Sequence, residues 1–557
     1  MLQMKKNAFI LASLLICCLA GLAQTNTSKA NQVDDVENDK VTLFTDRNLY
    51  AAGELLYFAS HINNSTKVNS RVLYVELISL DGRLIQASKF KIDNHKAYGA
   101  LTIPKETPSG NYLVKAYTRW MRNFNQAEYS YTQILVVNPS NQTPLPPTTN
   151  GNGSVVKFNP VEQSDHPISI SLNHNKYKPR ENVTLNIDAQ GSITSPWLCL
   201  TIAPKATLIN QLSTGNKSEY PLPDSFVFKA ERKGFSLTAN VQNVETNKPL
   251  AYSLVNVSIL GPFPDFLASR TDTTGLFSVD LPEIFGTYDL YIGFQEGENP
   301  KVKFDNDFCP RRVKTQLPAF SLSDNQYDAA TNIINNQLIL NHFTNSDLDS
   351  LQSTVKHSAS PFYGTPDVNL IFSNYVDLLS VREYFHELLP VSVKEVDGKT
   401  TFRIFGNYPE FDIYEPLILI DNVVIDDAKR ILAANPKQLE RVEIINKPYY
   451  KGNMVYGGIV CFFSKEGDFG RIELSQSDMF IRYKFFAESI GFKHHTIPEN
   501  KPDTRNTVLW VHQVDLSGGS SEHKFVAPDT KGEYEILLRG IDHNGNLILK
   551  KSYFEVH

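Results

Sequence analysis

The chain is poor in cysteine, because its 557 residues contain only five. Cys17 and Cys18 lie in an apolar segment near the N-terminus, which leaves Cys199, Cys309 and Cys461 for the rest of the chain. Three widely spaced cysteines allow one disulfide bond at most, so a disulfide framework is excluded and ordinary hydrophobic cores must hold the fold. We expect Cys461, in the apolar run GGIVCFFS, to be a small buried side chain.

Long apolar runs and basic runs are also missing beyond the first residues. Lys5 and Lys6 precede the apolar run 8–22, and small residues precede Gln24, so we predict a signal peptide over residues 1–23. It implies export to the periplasm or the outer membrane, with the cell surface also open; a retained anchor is the alternative. No later segment reaches the roughly 18 apolar residues that a transmembrane helix needs. With a net charge of −6 and no basic cluster, the chain is not expected to bind nucleic acid.

Familiar catalytic and metal-binding motifs are absent from the sequence. It has no His-Glu-x-x-His pair, no glycine-rich phosphate loop between a strand and a helix, and no Gly-x-Ser-x-Gly turn. The isolated pair His494–His495 is expected at the surface, and Asp305–Asp307 could offer oxygens to Ca²⁺, although such loops are more often solvated turns. We therefore name no catalytic, cofactor-binding or metal-binding residue and predict a protein that is not an enzyme and has no cofactor.

Aromatic residues are abundant, with 33 Phe and 25 Tyr, which favours β-structure. Short alternating segments separated by turn residues recur along the chain. Leu73, Val75 and Leu77 lie on one face of a predicted strand, for example, and Asp81–Gly82 follows as a two-residue hairpin turn. We predict a mainly β fold of tandem antiparallel β-sandwiches with one small α/β domain.

Two stretches, TDRNLYAAGELLYF and TPSGNYLVKAYTRWMRNF, carry a family resemblance. They resemble the second macroglobulin-type (MG2) domain of the α2-macroglobulin superfamily, in the form found in envelope proteins of Bacteroidetes. The resemblance implies a seven-stranded antiparallel sandwich. We expect Tyr50, Tyr57, Tyr117 and Trp120 to fill its core or rim, with a sugar-binding aromatic shelf as the alternative. The thioester of that superfamily needs the motif Cys-Gly-Glu-Gln, which none of the cysteines provides.

Two further stretches also resemble known sandwich domains. ISISLNHNKYKPRENVTLNIDA, followed by SPWLCLTIAP, resembles a shortened macroglobulin unit. TDTTGLFSV, with a turn at Asp272–Gly275, resembles the transthyretin-like repeat found beside carboxypeptidases. That repeat is non-catalytic in its families, so it implies a structural or binding role.

Near residue 320 the apolar period changes to three or four, which predicts helices in NQYDAATNIINNQLILNHF and DLLSVREYFHELLP. The segment 416–465 reads as strand, turn, strand, short helix, strand, turn and strand, with a turn at Asp421–Asn422 and Asp426 as the helix cap. PLILIDNVVI, LERVEIIN and GGIVCFFSK resemble the plug domain of TonB-dependent outer-membrane receptors. The barrel of those receptors needs about 22 strands, which residues 466–557 cannot supply. The resemblance therefore implies an independently folded interaction module.

Together these signals divide the chain into nine units. In chain order they are a signal peptide (1–23), a flexible leader (24–39), an MG2-like β-sandwich (40–139), a linker (140–166), a shortened macroglobulin-like β unit (167–228), a carboxypeptidase-regulatory or transthyretin-like β-sandwich (229–315), a helical connector (316–364), a TonB plug-like α/β domain (365–468) and a C-terminal β domain (469–557).

The resemblances imply a non-enzymatic binding or scaffold protein of the cell envelope. Its expected partners are other envelope proteins, an outer-membrane barrel among them, in uptake linked to TonB, envelope assembly or adhesion. Three alternatives stay open at this point. They are a protease-binding macroglobulin without a thioester, a plug subunit that works with a separate barrel protein, and a glycan-active enzyme with a site between sandwiches.

Overall fold

The computed structural model of the chain describes most residues from Asn38 onward. The described residues are 38–63, 69–141, 154–156, 158–160, 166–189, 197–208, 212–213, 220–221, 223–295, 299–310, 313–315, 317, 319–344, 361–396, 398–405, 413–488, 490–492 and 501–557. The predicted signal peptide, nearly all of the leader, most of the linker and His494–His495 lie outside them. Strands dominate the described residues, so the predicted mainly β fold class is confirmed.

Eight strands form the first sandwich. They are β1 (Lys40–Thr45), β2 (Leu49–Ala51), β3 (Leu55–Asn63), β4 (Val72–Ser79), β5 (Leu84–Lys91), β6 (Lys96–Thr102), β7 (Gly110–Tyr117) and β8 (Ser130–Val137). A three-stranded sheet, β1–β3–β6, packs on a five-stranded sheet, β2–β8–β7–β4–β5. The predicted turn at Asp81–Gly82 joins β4 to β5, and Gly82 has a φ of 79°, which glycine adopts without strain.

The remaining elements fall into three groups along the chain. The first group is β9 (Ser154–Val156), β10 (Asn159–Pro160), β11 (Ile168–Leu172), β12 (Lys176–Tyr177), β13 (Asn182–Ala189), β14 (Trp197–Pro204) and β15 (Leu212–Ser213). The second is β16 (Phe235–Asn243), β17 (Leu254–Ile259), β18 (Asp265–Arg270), β19 (Leu276–Leu281), β20 (Thr287–Phe294), β21 (Pro300–Phe304), β22 (Val313–Thr315) and α1 (Asp324–Thr344). The third is β23 (Val368–Ile371), α2 (Val381–Leu388), β24 (Val391–Val396), β25 (Lys399–Ile404), β26 (Leu417–Ile420), β27 (Val423–Val424), α3 (Lys429–Leu432), β28 (Leu439–Ile445), β29 (Tyr449–Lys451), β30 (Met454–Tyr456), β31 (Ile459–Ser464), β32 (Met479–Lys484), β33 (Leu509–Val511), β34 (Ser520–Val526), β35 (Gly532–Ile541) and β36 (Leu547–Val556).

The second sandwich is built from two segments that are distant in sequence. Its sheets are β11–β13–β34 and β12–β36–β35–β14–β33, so each sheet combines strands from 168–204 with strands from 509–556. β14 pairs with β35 from Trp197↔Ile541 to Pro204↔Tyr534. The prediction of two separate units, 167–228 and 469–557, is therefore wrong: each holds about half of one sandwich. Neither half buries both faces of a core alone, which is the physical reason that they combine.

The second sandwich repeats the topology of the first, strand for strand. In both, the first, third and sixth strands make the small sheet, and the second strand pairs in parallel with the eighth. A side-chain motif is repeated as well. The hydroxyl of Tyr50 donates to Asp46 and the hydroxyl of Tyr177 donates to Asn173, each four residues back. The four-residue turn between β4 and β5 corresponds to residues 205–508, which are inserted into the second sandwich.

The third sandwich lies inside that insertion and carries an insertion of its own. Its sheets are β19–β16–β21 and β18–β17–β20–β32, so the predicted unit 229–315 takes its last strand from residues 479–484. Between β21 and β32 lie α1 and an α/β module, residues 361–474. The sheet of this module is β23–β28–β31–β26–β27, with β26 and β31 parallel and the other pairs antiparallel.

Local predictions within the module hold with one correction. Asp421 and Asn422 have φ values of 47° and 68°, as a tight hairpin between β26 and β27 requires. The sequence pattern predicts Asp426 as the cap of the short helix. In the structure Asp427 accepts the backbone N–H of Lys429, while Asp426 pairs with Lys399. The first of the two acids is drawn away by a lysine on the neighbouring hairpin.

We predict that Leu538→Ala, which opens a cavity in the core of the second sandwich, will loosen strands 350 residues away in sequence. Leu538 is fully buried among Leu185 and Leu200, and such a truncation costs about 2–5 kcal/mol. Hydrogen exchange of β13 and β14 should therefore accelerate. Ile292→Ala in the third sandwich is the matched control and should accelerate β17 and β20 first. Unchanged exchange in β13 and β14 with Leu538→Ala would show that the two segments fold separately.

Candidate interaction surface

Buried polar networks join the first sandwich to the second. Arg47 is 3% exposed; its Nε donates to Thr507 Oγ1 over 2.8 Å and its Nη2 donates to Glu54 Oε1 over 2.9 Å. Asp46 accepts from the hydroxyls of Tyr50 and Thr507. The stretch TDRNLYAAGE therefore makes buried hydrogen bonds to Thr507, just before β33 of the second sandwich. Removing one member of such a network leaves charges unpaired and costs several kcal/mol.

A second contact between these sandwiches centres on Arg539, which is 1% exposed. Its Nη2 donates to the main-chain oxygen of Thr45 over 2.6 Å and to Thr201 Oγ1 over 3.0 Å. The guanidinium lies 5.1 Å from the ring centre of Phe44, and that ring stacks on Trp197 at 5.7 Å. These contacts bind the three-stranded sheet of the first sandwich to the five-stranded sheet of the second.

The opposite face of the first sandwich binds the third sandwich through Glu231. Its carboxylate accepts the hydroxyl of Tyr74 over 2.9 Å and the backbone N–H of Ser236 over 2.8 Å. Burial raises the pKa of Glu231 to about 7, and the nearby Arg119 opposes that rise. The packing of the two sandwiches therefore raises the pKa of this carboxyl group.

The loop Asp305–Asp307, considered above for calcium, serves the same interface. Asp307 lies 2.5 Å from the ammonium of the fully buried Lys89, and Asp305 lies 3.6 Å from Arg119. Positive side chains thus already face these two acids. Among the described residues, no group of three or more His, Cys, Asp or Glu side chains is placed to hold a metal ion.

The three cysteines are free and buried, with no disulfide between them. Cys309 sits at the interface of the first and third sandwiches, where its N–H donates to the hydroxyl of Tyr117 and its carbonyl accepts from Lys115 over 3.0 Å. Cys461 is a small buried side chain in the α/β module, as predicted, and burial raises its pKa to about 12. Neither thiol is exposed for nucleophilic chemistry.

The aromatic residues singled out in the first sandwich do not form an exposed shelf. Tyr50 and Tyr117 are fully buried. Tyr57 and Trp120 are half-buried. Tyr57 lies edge-on to Phe492, with 5.3 Å between ring centres, and Trp120 stacks on Phe226 at 5.1 Å. They fill the core and the domain interfaces, which sequence alternation within one domain could not reveal.

The α/β module is held firmly against the third sandwich. Phe266 of β18 is fully buried in a cluster with Leu419 and Cys461 on the module sheet. The ammonium of Lys451 on β29 of the module donates to Asp265 Oδ1 on β18 over 2.5 Å. This apolar and hydrogen-bonded contact fixes the orientation of the module on the stack of sandwiches.

The outer side of the module exposes many apolar side chains. Leu379 is 92% exposed, Val376 83% and Ile413 80%, and these are the three highest values among the large hydrophobic residues that the structure describes. Five more large apolar or aromatic side chains between residues 371 and 414 are exposed: Ile371, Tyr375, Leu388, Phe405 and Tyr414. Exposed apolar side chains concentrated in one module mark an interaction surface.

Leu379 and Leu388 flank α2, which has a polar outer face. The helix buries Val381, Tyr384 and Phe385, and Ser380 caps its N-terminus by accepting the N–H of Glu383. Leu379 precedes the cap and Leu388 is the last helical residue. Arg382, His386 and Glu387 are exposed between the two apolar ends. Apolar side chains beside charged ones are the usual make-up of a protein interface.

The plug-like sequence pattern implies an interaction module, but it does not indicate which residues form the interaction surface. The signal was present, since Val376, Leu378 and Leu379 interrupt the polar stretch before α2. In the structure only Leu378 of these three is turned inward, because the helix begins at Val381, four residues after the start of the predicted segment.

No protein-family model matches the chain, and no curated protein matches it. Among solved structures, Salmonella α2-macroglobulin reacted with methylamine has 10% sequence identity over 93% of this chain and 39% of its own length, with a TM-score of 0.22. The native conformation of Escherichia coli α2-macroglobulin has 8% identity over 93% and 40%, with a TM-score of 0.23. Dimeric latent PorU from Porphyromonas gingivalis has 10% identity over 48% and 33%, with a TM-score of 0.15. The chain thus spans about two fifths of the length of these macroglobulins, and the scores are too low to assign a shared fold.

We predict that acid weakens the contact between the first two sandwiches through His61. Burial, together with the charges of the neighbouring His95 and Lys96, lowers the pKa of His61 to about 4. The unfolded chain binds a proton near pH 6.5 while the folded chain does not, so stability falls as the pH drops through that window. Compared with His61→Gln, the parent protein should lose about 1–3 kcal/mol more on acidification, as measured by thermal unfolding. Exposed His386→Gln is the control; equal pH slopes for His61→Gln and the parent would contradict the assignment.

Glu231 should respond with the opposite sign. The pKa of Glu231 is raised in the folded state, so the folded chain holds this proton more tightly than the unfolded chain. The resulting contribution to the free energy of unfolding is lost as the pH rises from about 4.5 to about 7. Glu231→Gln should remove this loss. Glu283→Gln is the matched control, because Glu283 lies in the same interface but Lys91 and Arg71 outweigh its burial and lower its pKa. That control should change the stability without changing the slope above pH 4.5; a Glu231→Gln slope identical to the parent slope would refute the prediction.

Proposed function

We propose that this chain is a non-enzymatic scaffold of the bacterial cell envelope that presents its α/β module to a protein partner. The observation that carries the proposal is the exposure of Leu379, Val376 and Ile413 on a module that is otherwise tightly packed. Single exposed apolar residues are ordinary, but several in one small module need a covering partner. Binding here would bury them and supply the main free energy of association.

The sandwiches support this role by fixing the module in space. Two buried contacts, around Arg47 and around Arg539, bind the first sandwich to the second, and the network around Glu231 binds it to the third. Nested insertions give the module two covalent connections to the third sandwich. A rigid support lowers the entropy cost of ordering a binding surface.

An envelope partner follows from the predicted signal peptide and from the plug-like reading of 365–468, both of which remain proposals. A separate outer-membrane barrel protein is the first partner to test. No helix among the described residues is long and apolar enough to span a membrane.

The double variant Val376→Asp/Leu379→Asp should abolish partner capture. Two charges on this surface would have to be desolvated in the complex, which lowers affinity by at least about tenfold. The measurement is affinity capture from detergent-solubilised envelopes of the source organism, with quantitative mass spectrometry. Val227→Asp is the control, since Val227 is 74% exposed but lies outside the module. A protein captured equally by the parent, the double variant and the control would show that the α/β module is not the binding surface.

A further inference from the structure

A second site lies on the far side of the stack, where α1 crosses the second sandwich. α1 packs Ala329, Ala330 and Ile333 toward β2 and β8 of the first sandwich. The helix and the five-stranded sheet of the second sandwich then enclose a cleft of about 740 Å³. Ligand pockets in proteins commonly measure about 300–1,000 Å³, so the cleft can hold a small molecule or a short oligomer.

The wall formed by α1 is rich in side-chain amides. Asn325, Gln326, Asn332 and Asn336 line it, and Asn506 lies opposite them. Asn336 is positioned by a hydrogen bond of 2.9 Å from its Nδ2 to Asn506 Oδ1. Asn506 is already hydrogen-bonded to Asn336 and Glu54, and Gln326 Oε1 accepts the N–H of Ser323. Asn325 and Asn332 present exposed amides, each with a donor and an acceptor a short distance apart. Neighbouring hydroxyl groups of a sugar present the same pair of roles, so an amide wall is suited to a hydroxyl-rich ligand.

The floor of the cleft carries charges that largely cancel. Lys205 pairs with Glu533 at 2.9 Å, and Lys551 pairs with Glu535 at 3.0 Å. Arg505 also lines the cleft and is bound to the buried Asp503 behind it. Lys531 and Asp328 add one charge of each sign. A cleft without excess charge favours a neutral ligand over an anion or a cation.

An extended peptide fits the cleft less well. Peptides that bind to sheets add a strand at a free edge. Here the floor is a sheet face, and β35 is paired on both sides, with β14 and with β36. Its main-chain groups are therefore used, and only side chains face the ligand. Glu533 and Glu535 are each paired with a lysine, so we do not assign them to hydrolysis.

We propose that the cleft between α1 and the second sandwich binds a short, neutral oligosaccharide. The amides of α1 recognise its hydroxyl groups. The site is separate from the surface of the α/β module, so the protein would hold a partner and a glycan at the same time.

Saturation-transfer NMR and calorimetry on the full chain test the proposal. The probes are maltotriose, cellotriose and triacetylchitotriose at millimolar concentration, with tetra-alanine as the peptide probe. At least one trisaccharide should bind. Asn332→Ala should weaken that binding about three- to tenfold through lost hydrogen bonds. Asn335→Ala is the matched control, because Asn335 is an exposed residue of the same helix that does not line the cleft.

Four outcomes overturn the proposal. They are no binding of any trisaccharide, binding of tetra-alanine instead, equal loss of binding with Asn332→Ala and Asn335→Ala, and release of shorter sugars from a bound trisaccharide. The last outcome would show a glycan-active enzyme. Circular dichroism of the Asn332→Ala variant separates a binding defect from a folding defect.

Discussion

The pairing of β14 with β35 is the constraint on which the architecture depends. It joins eight residues that end at Pro204 to strands that begin more than 300 residues later. Closing so long a loop costs only slightly more entropy than closing a short one, because the cost grows with the logarithm of length. The inserted residues are themselves folded and return to their starting point. The sandwich can therefore accept an insertion that carries another sandwich and the α/β module.

Buried polar contacts decide how the sandwiches sit on one another. Apolar packing alone is non-directional, whereas Arg539 reaches Thr45 only in one relative placement, and Tyr74 reaches Glu231 only in one. The free energy gained from such buried groups is modest, since desolvation offsets much of it. Their effect is on specificity, because any sliding of the sheets would leave several donors and acceptors unpaired.

Local structure was predictable from sequence, but the partners of the strands were not. Alternation located the strands, Asp81–Gly82 and Asp421–Asn422 located hairpins, and apolar spacing located α1. Alternation carries no information about which strand lies alongside, so the division of the second sandwich was missed. The repeated spacing Asn48–Tyr50–Glu54 and Asn175–Tyr177–Glu181 was the available signal that two sandwiches share one plan. The cleft was also invisible, because its wall and floor come from segments some 200 residues apart that only the fold brings together.

The nested order of strands has a consequence for biosynthesis. Translation delivers β11 to β14 long before β33 to β36, so for most of the time on the ribosome the second sandwich has a bare sheet edge and an open core. Such edges template aggregation. A chain that stops before Leu509 keeps the unpaired sheet edge and the open core of the second sandwich. We expect proteases to degrade such unfinished chains and to spare chains that contain the last strands.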